Sequence, residues 1–225
     1  MVTKMDKKEL MEPDKLQIVF LNIRAFAETY RKQIYIGAGV FVLMIILSGG
    51  WYLYNLNYEA SAGKLYNQVI DTATRSASPN SEVTSIQGYK DLINRYPKSD
   101  AAITAHYRLA NLYFNRREFD AAIGSYHEYL KKVDPKSDLI TLSYSGLGAC
   151  HEAKKDFNKA LEYYEKAMKT NTASSFEVMT YSNVARVYEA LNNAAKAVEY
   201  YRKAQVKATD PLMTIYLKRK IAILG

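Results

Sequence analysis

The chain has little of the chemistry that enzymes and metal proteins use. It contains one cysteine, Cys150, so no disulfide can form within the chain and the fold must depend on packing alone. Its three histidines, His106, His127 and His151, share no metal-ligand spacing with one another or with Cys150. We therefore expect no metal and no cofactor. We expect Cys150 to be a small core residue and His106 and His151 to occupy packing positions.

Catalytic motifs are missing as well. Strand signals are almost absent, and no glycine-rich loop follows a strand. The sequence Ser145-Gly-Leu-Gly148 lacks the first glycine of a nucleophile elbow and lies in a helical stretch, so its glycines indicate close helix packing. The chain is predicted not to be an enzyme and to have no small-molecule substrate.

The positive charge of the chain is not concentrated on one segment. The net charge is +8, with seven Lys/Arg against five Asp/Glu in residues 1–33 and 24 against 18 in residues 56–225. Nucleic-acid binding requires a clustered basic face, so we expect no nucleic-acid partner.

One long apolar run interrupts this charge pattern. Residues 34–54 contain no charged side chain and would span about 31 Å as a helix, close to the hydrocarbon thickness of a bilayer. Aromatic residues flank both ends, as they do at membrane interfaces. They are Tyr30 and Tyr35 at one end and Trp51, Tyr52 and Tyr54 at the other. The run predicts a transmembrane helix.

The charges beside the run predict its orientation. The 20 residues before it hold four Lys/Arg and the 20 after it hold one, Lys64. The positive-inside rule then places residues 1–33 in the cytoplasm and residues 55–225 outside. A cleaved signal peptide is the alternative, since Ala60-Ser-Ala62 has a suitable cleavage pattern, but the run is long and over 30 residues precede it.

A second apolar pattern precedes the run. Apolar residues recur there at helical spacing, and Pro13 with Asp14 forms a plausible start, which predicts an amphipathic helix of about four turns. The apolar residues are Leu16, Val19, Phe20, Ile23, Phe26, Ala27 and Tyr30. Two interpretations stay open: a helix lying on the inner membrane surface, or a docking helix for a cytoplasmic partner.

After the run, one phrase occurs three times. Residues 119–126, FDAAIGSY, return as FNKALEYY at 157–164 and as AAKAVEYY at 194–201, at intervals of 38 and 37 residues. Such a period is typical of stacked helical hairpins, which bind other molecules more often than they catalyse reactions. Pro97-Lys-Ser-Asp100 and Pro135-Lys-Ser-Asp138 mark boundaries between units, where Ser or Asp can cap the next helix.

Aligned on this phrase, each unit reads as two helices with large and small residues at fixed positions, which resembles the tetratricopeptide repeat (TPR) pattern. The small and large positions include Ala122, Ala160 and Ala197, then Tyr126, Tyr164 and Tyr201, and Leu109-Ala110, Leu147-Gly148 and Val184-Ala185. The usual tryptophan of the first helix is replaced by His106, Tyr144 and Tyr181. The usual period is about 34, so the extra residues should lengthen the second helix or its connection.

Divergent segments enclose these units. A first unit is predicted from a helix at 57–73, continuing from the membrane span, a loop at 76–81 and a second helix ending at Tyr96. After Asp210-Pro211, residues 212–224 predict a capping helix with Lys218, Arg219 and Lys220 outward. Its predicted packing face is Leu212, Ile215, Tyr216, Ile221 and Leu224. The predicted fold is all-α: about four TPR units and a cap behind one transmembrane helix.

In a TPR stack the first helices line the concave face, so their outward residues are candidates for binding a partner. Tyr107 and Phe114 would be anchors for an apolar or extended peptide if exposed, although a neighbouring helix could cover them. The candidate partner-binding residues are Tyr107, Asn111, Phe114, Asn115, Ser145, Glu152, Ser182, Arg186 and Glu189. The Lys/Asn/Arg clamp that some TPR proteins use for C-terminal carboxylates is not matched.

The whole layout resembles the YfgM-like ancillary subunit of the bacterial Sec translocon. The resemblance rests on the order of a short N-terminal helix, one span with Gly and Trp near its outer end, a helix rich in Ala and Ser, TPR units and a Lys-rich final helix. It implies an inner-membrane protein with a periplasmic TPR domain, contacting translocon subunits, periplasmic chaperones or secreted chains. The function expected is a non-enzymatic adaptor. The alternative is a structural scaffold subunit of a cell-envelope assembly complex.

Overall fold

The computed structural model describes residues 15–75, 81–170 and 173–225, and the regular elements within these ranges are helices. They divide into two compact units, Met1–Asn57 and Tyr58–Gly225. The α-helices of the described ranges are α1 (Lys15–Thr29), α2 (Arg31–Arg75), α3 (Ser81–Arg95), α4 (Asp100–Asn115), α5 (Phe119–Lys132), α6 (Leu139–Ala153), α7 (Phe157–Met168), α8 (Glu177–Ala190), α9 (Ala194–Lys207) and α10 (Pro211–Leu224).

The N-terminal unit consists of α1 and the first part of α2. Both predicted helices are present, while the predicted start at Pro13 and Asp14 lies outside the described residues. By length and composition α2 could cross a membrane, and its side chains from Ile34 to Tyr54 are exposed. The predicted span and the predicted helix at 57–73 are both parts of α2, as expected of a helix that continues from the span.

The second unit is a series of helical hairpins, α4–α5, α6–α7 and α8–α9, in which each second helix also packs on the first helix of the next hairpin. The predicted divergent first unit is present too. Val69 of α2 lies against Gly88 of α3, and the rings of Tyr66 and Tyr89 are 5.9 Å apart. Of its predicted loop, only Ser81 is described, as the first residue of α3.

The repeated phrase forms the core, as the sequence predicts. Ala122, Ala160 and Ala197 are fully buried, and so are Tyr164 and Tyr201. Small residues are required because the helices approach closely: a Cβ atom on Gly148 would lie 2.6 Å from the Tyr164 ring. A Cβ atom on Gly146 would collide with the Tyr126 ring in the same way. The prediction that these glycines serve helix packing is confirmed.

The three hairpins turn in the same way. The second residue after the helix end is left-handed in each, with φ 61° at Arg117, 62° at Lys155 and 56° at Asn192. Two backbone hydrogen bonds close each turn, for example Lys155 N to the Glu152 carbonyl (2.9 Å) and Asp156 N to the His151 carbonyl (2.8 Å). This is the Schellman arrangement, in which glycine is the usual residue at the left-handed position.

The extra residues of the long repeat period lie in the connections. The second helices α5, α7 and α9 contain 14, 12 and 14 residues, against 16, 15 and 14 in the first helices. The chain instead takes residues 133–138 to pass from α5 to α6, and a short 3-10 helix, Ala173–Phe176, precedes α8. Of the two predicted possibilities, the longer connection is therefore the one observed.

The boundary residues cap the helices, but the two identical boundaries differ. Ser99 accepts a hydrogen bond from Ala102 N at 3.1 Å, and Asp210 accepts from Leu212 N and Met213 N. Asp138 makes no such bond at the start of α6. There the Ser137 hydroxyl instead accepts weakly from Leu139 N at 3.4 Å and lies 2.9 Å from the Tyr129 hydroxyl.

The predicted packing face of the capping helix α10 is partly wrong. Leu217 is its fully buried residue, whereas Leu212 and Ile215 are 76% and 64% exposed, and Tyr216 is exposed as well. Ile221 and Leu224 do pack against the last hairpin. The helix is apolar on two sides and α9 covers one of them, so the spacing of apolar residues could not select the correct side.

The sulfur and imidazole groups lie where the sequence predicts. Cys150 is fully buried, His151 is buried and His106 is half-buried. Burial raises the pKa of the Cys150 thiol to about 12, so the group is an uncharged core side chain at neutral pH. Burial also lowers the pKa of His151, which favours its neutral form.

Candidate protein-binding surface

The candidate surface is formed by the first helices of the hairpins, α4, α6 and α8, continued by α10. Side-chain bonds link α6 to α8 and α8 to α10 directly. In each hairpin, a tyrosine of the second helix donates a hydrogen bond from its hydroxyl to a side chain of the first helix. This tyrosine is the last one of the repeated phrase in each case. These links determine which candidate residues are free for a partner.

Glu152 of α6 is the centre of the first link. It accepts hydrogen bonds from the Tyr164 hydroxyl at 2.8 Å and from Arg186 Nε and Nη2 at 2.6 and 2.8 Å. The two parallel bonds to Arg186 form a fork, the strongest geometry of an arginine–carboxylate pair. Glu152 is 17% exposed while Arg186 remains 47% exposed, so the carboxylate is shielded and the guanidinium stays accessible.

Glu189 of α8 repeats this arrangement one unit later. It accepts from the Tyr201 hydroxyl at 2.9 Å, and the Lys220 ammonium of α10 lies 2.8 and 3.0 Å from its two oxygens. The hydrogen bond from Lys220 lowers the pKa of Glu189 below its ordinary value. Lys220, expected to point outward, therefore attaches the capping helix to the stack.

The hairpin α4–α5 has no such carboxylate. The Tyr126 hydroxyl donates to the Asn111 side-chain oxygen instead. Phe114, which stands where Glu152 and Glu189 stand in the later units, packs its ring 5.7 Å from that of Phe119. The side-chain bonds that connect adjacent first helices therefore begin at Glu152.

Tyr107 and Phe114 are not the fully exposed anchors that the sequence allowed. Both are half-buried, because Tyr107 packs 6.1 Å from the Tyr126 ring and 5.7 Å from the Tyr129 ring and Phe114 packs on Phe119. The alternative interpretation, in which a neighbouring helix covers them, describes the structure better. Each keeps an accessible edge.

The remaining candidates divide between exposed and buried positions. Asn115 is exposed at the end of α4. Ser182 is half-buried and donates its hydroxyl to the Val178 carbonyl at 2.6 Å. Ser145, predicted to face outward, is buried in α6. It is removed from the candidate surface.

Two further residues belong to this surface and were missed. Arg108 of α4 donates from Nε to the Tyr66 hydroxyl of α2 at 3.2 Å, and Arg108 is exposed. This hydrogen bond raises the pKa of Arg108, whose guanidinium is charged in any case. No local sequence pattern marks the pair, because 42 residues separate the two side chains.

A shallow cleft of about 450 Å³ lies between α3, α4 and α5. The residues that line it include Lys90, His106, Tyr113 and Glu128. Burial and the neighbouring Lys132 ammonium, 3.2 Å from His106 Nε2, lower the pKa of His106. Within the described ranges, no three His, Cys, Asp or Glu side chains are grouped so that they could hold a metal ion.

Comparison with known proteins agrees with this architecture. Two tetratricopeptide repeat family models match the chain, over residues 104–137 and 138–205. No curated protein sequence matches the chain.

Among solved structures, the chain is similar to crystal structures of MamA. One MamA protein has a TM-score of 0.56 at 17% identity, over 72% of this chain and 81% of that one. A second MamA structure has a TM-score of 0.53 at 18% identity, over 64% and 77%. The MamA RS-1 ArsTM double mutant has a TM-score of 0.53 at 14% identity, over 70% of this chain and 75% of that one. At these identities the likeness establishes the fold alone.

The repeat matches, the three identical hairpin turns and the shared fold lead to one conclusion. Residues 104–205 match tetratricopeptide repeat models, and the helical stack around them has the TPR fold. TPR stacks present extended surfaces that bind other proteins.

Proposed function

We propose that this chain is a membrane-anchored, non-enzymatic adaptor that holds a segment of a partner protein on its TPR domain. The observation that carries the proposal is the presence, in one chain, of a TPR domain and an uncharged apolar helix segment at residues 34–54. A soluble TPR protein has no use for 21 consecutive exposed uncharged residues, since exposed apolar surface of this size favours aggregation.

The finer proposal concerns location and partner. Residues 1–33 are cytoplasmic, residues 34–54 span the bacterial inner membrane and residues 55–225 are periplasmic, in agreement with the excess of Lys/Arg before the span. There the TPR domain assists secreted chains as an ancillary subunit beside translocon subunits or periplasmic chaperones. The resemblance of the layout to the YfgM-like subunit supports this partner class.

The proposed binding surface is the inner side of α4 and its continuation to α8. Arg108 and Asn115 are exposed there, and Tyr107 and Asn111 lie half-buried on the same helix. Further along the stack, Glu152 engages Arg186 through Nε and Nη2. The other guanidinium hydrogens of Arg186 can donate to a carbonyl or carboxylate of an extended partner chain.

Site-specific photocrosslinking in cells tests the adaptor role. A photoreactive residue at Asn115 or Arg108 should capture translocon subunits, periplasmic chaperones or secreted chains. The control is Glu165, an exposed residue of the second helix α7. Capture of only lipid or a second copy from α4 would contradict the adaptor role. Capture from Glu165 with none from α4 would favour the scaffold alternative.

Protease protection tests the topology separately. In spheroplasts, added protease should remove the TPR domain and leave the first part of the chain intact. Protection of residues 58–225 until the membrane is permeabilised would reverse the orientation. Release of the chain by alkaline carbonate, or a mature form shortened by about 60 residues as signal cleavage would give, would remove the anchor from the proposal.

A further inference from the structure

Helix α1 presents one continuous apolar side that no described residue covers. At about 100° per residue, Val19, Ile23, Phe26 and Tyr30 fall within one narrow sector of the helix. Val19, Ile23 and Phe26 are 55%, 62% and 60% exposed. The rings of Phe26 and Tyr30 pack together with centroids 4.7 Å apart. This apolar side needs a partner, because exposed apolar surface is costly in water.

The opposite side of α1 is mixed, since Arg24 and Glu28 lie there beside the exposed Leu21. Arg24 Nε and Glu28 Oε1 form an ion pair at 3.0 Å, and the Thr29 hydroxyl donates to the Ala25 carbonyl at 2.8 Å. With Lys15 the helix carries two basic residues and one acidic residue. Its net charge is therefore small, and the ion pair leaves little charge to recognise an oppositely charged partner.

The position of α1 in the chain indicates what covers it. Tyr30 is the one residue between α1 and α2, and backbone hydrogen bonds of 2.9 Å join Tyr30 N to the Phe26 carbonyl and Ile34 N to the Tyr30 carbonyl. The uncharged segment begins at Ile34. If this segment spans a membrane, the end of α1 lies within a few ångströms, about one helical turn, of the hydrocarbon. Lipid is then the nearest apolar surface and is always present.

The geometry points to α1 as an interfacial helix whose side formed by Val19, Ile23, Phe26 and Tyr30 lies in the lipid of the bilayer surface. It is held there by apolar contact rather than by attraction to anionic headgroups. This inference rests on the proposed membrane anchor, and it selects the membrane surface over a cytoplasmic docking partner.

The chain offers a clean fluorescence test, because Trp51 is its one tryptophan. The full chain is reconstituted in phosphatidylcholine vesicles with or without bromine on the lipid chains near the headgroups. Quenching of wild-type Trp51 reports insertion of α2. In a Trp51→Phe background, Ile23→Trp then reports the apolar side of α1 and Ala25→Trp reports the opposite side.

Ile23 and Ala25 form a matched pair, since both are exposed and they lie two residues apart on opposite sides of α1. Brominated lipid should quench Ile23→Trp about threefold more than Ala25→Trp, and aqueous iodide should quench them in the opposite order. Two outcomes would overturn the inference while brominated lipid still quenches Trp51: equal quenching of the two variants by brominated lipid, or quenching of Ile23→Trp by iodide as strong as in water. The proposed membrane anchor would be unaffected by either. If brominated lipid does not quench Trp51, both the interfacial position of α1 and the proposed membrane anchor are overturned.

Salt and lipid charge test how α1 is held. Because apolar contact supplies the attraction, Ile23→Trp quenching should change by less than about twofold between low and high salt. It should change equally little between phosphatidylcholine vesicles and vesicles that contain phosphatidylglycerol. Loss of quenching at high salt would show that headgroup attraction holds α1 and would overturn the apolar mechanism.

Discussion

At the residue scale, the hairpins depend on tyrosine rings that lie directly on helix backbone. The Tyr164 ring of α7 occupies the space where a side chain on Gly148 would be, at 2.6 Å from an added Cβ. Gly124 of α5 is also helical, but an added Cβ there meets no atom within 4 Å. Comparing Gly148 with Gly124 therefore separates the effect of close packing at a glycine from the effect of its poor helix propensity.

Gly148→Ala should therefore destabilise the TPR domain by about 1–3 kcal/mol, because the buried ring must move to admit a methyl group. Gly124→Ala should stabilise it by about 0.5–1 kcal/mol, because alanine is the better helix former and the added methyl group is free of contacts. Thermal unfolding of the full chain in detergent, followed by circular dichroism, measures both. Equal shifts in the same direction would show that ring packing does not explain Gly148.

The hairpin turns give a second residue-scale prediction. Lys155 is left-handed at φ 62°, a conformation in which its Cβ is crowded and which glycine adopts without that strain. Lys155→Gly should raise stability by about 0.5–1 kcal/mol, after the larger chain entropy of glycine is subtracted. Asn192→Gly is the comparison, and it should gain less, since asparagine tolerates this conformation. Chemical denaturation measures the two, and a larger gain at Asn192 would contradict the explanation.

At the element scale, α10 is attached to the stack by a charge as well as by Leu217. Lys220 and Tyr201 both bind Glu189, and the hydrogen bond from Lys220 holds the pKa of Glu189 below its ordinary value. A carboxyl group with a lower pKa in the folded state binds more protons when unfolded. Its contribution to stability is thus present above the ordinary pKa and is lost as the pH falls through the folded value.

Glu189→Gln should accordingly lower the free energy of unfolding at neutral pH by about 1 kcal/mol. The gap between wild type and variant should narrow as the pH falls below about 4, where the wild-type carboxylate becomes protonated. Glu165→Gln, at an exposed position on α7, is the control and should give a small gap at every pH. A Glu189→Gln gap that is independent of pH would show that the charge of Glu189 is not what attaches α10.

The sequence predicted buried elements better than it predicted exposed faces. Aligning the units on the repeated phrase identified Ala160, Tyr164 and Gly148, because a large residue must fit a small one at each hairpin. The outward side of the first helices followed no such rule. Glu152 and Arg186 are polar, yet they bind each other across two adjacent units, at a separation of 34 residues in the sequence. Pairing over that distance leaves no local pattern in the sequence.

At the scale of the whole molecule, the TPR domain is a linear stack in which each hairpin contacts its neighbours, as α5 contacts α6 and α7 contacts α8. The stability of such a domain is approximately a sum of unit and interface terms, so the effect of a mutation depends on its position along the stack. The capping helix α10 makes its extensive contacts with one helix, α9. It is therefore expected to open before the inner helices α4 to α9, each of which packs on two neighbours.

Two leucine truncations test this order of opening. Leu217 of α10 and Leu147 of α6 are both fully buried, and each substitution by alanine removes the same atoms at a cost of about 2–5 kcal/mol. Leu217→Ala should increase hydrogen exchange in α10 and the facing part of α9 and leave α4 to α7 protected, because the rest of the stack keeps its contacts. Leu147→Ala should increase exchange throughout α4 to α9, because α6 is shared between two interfaces. Hydrogen exchange followed by mass spectrometry on the full chain in detergent resolves these segments. A uniform loss of protection in Leu217→Ala would mean that the domain unfolds as one cooperative unit and that α10 holds the whole stack together.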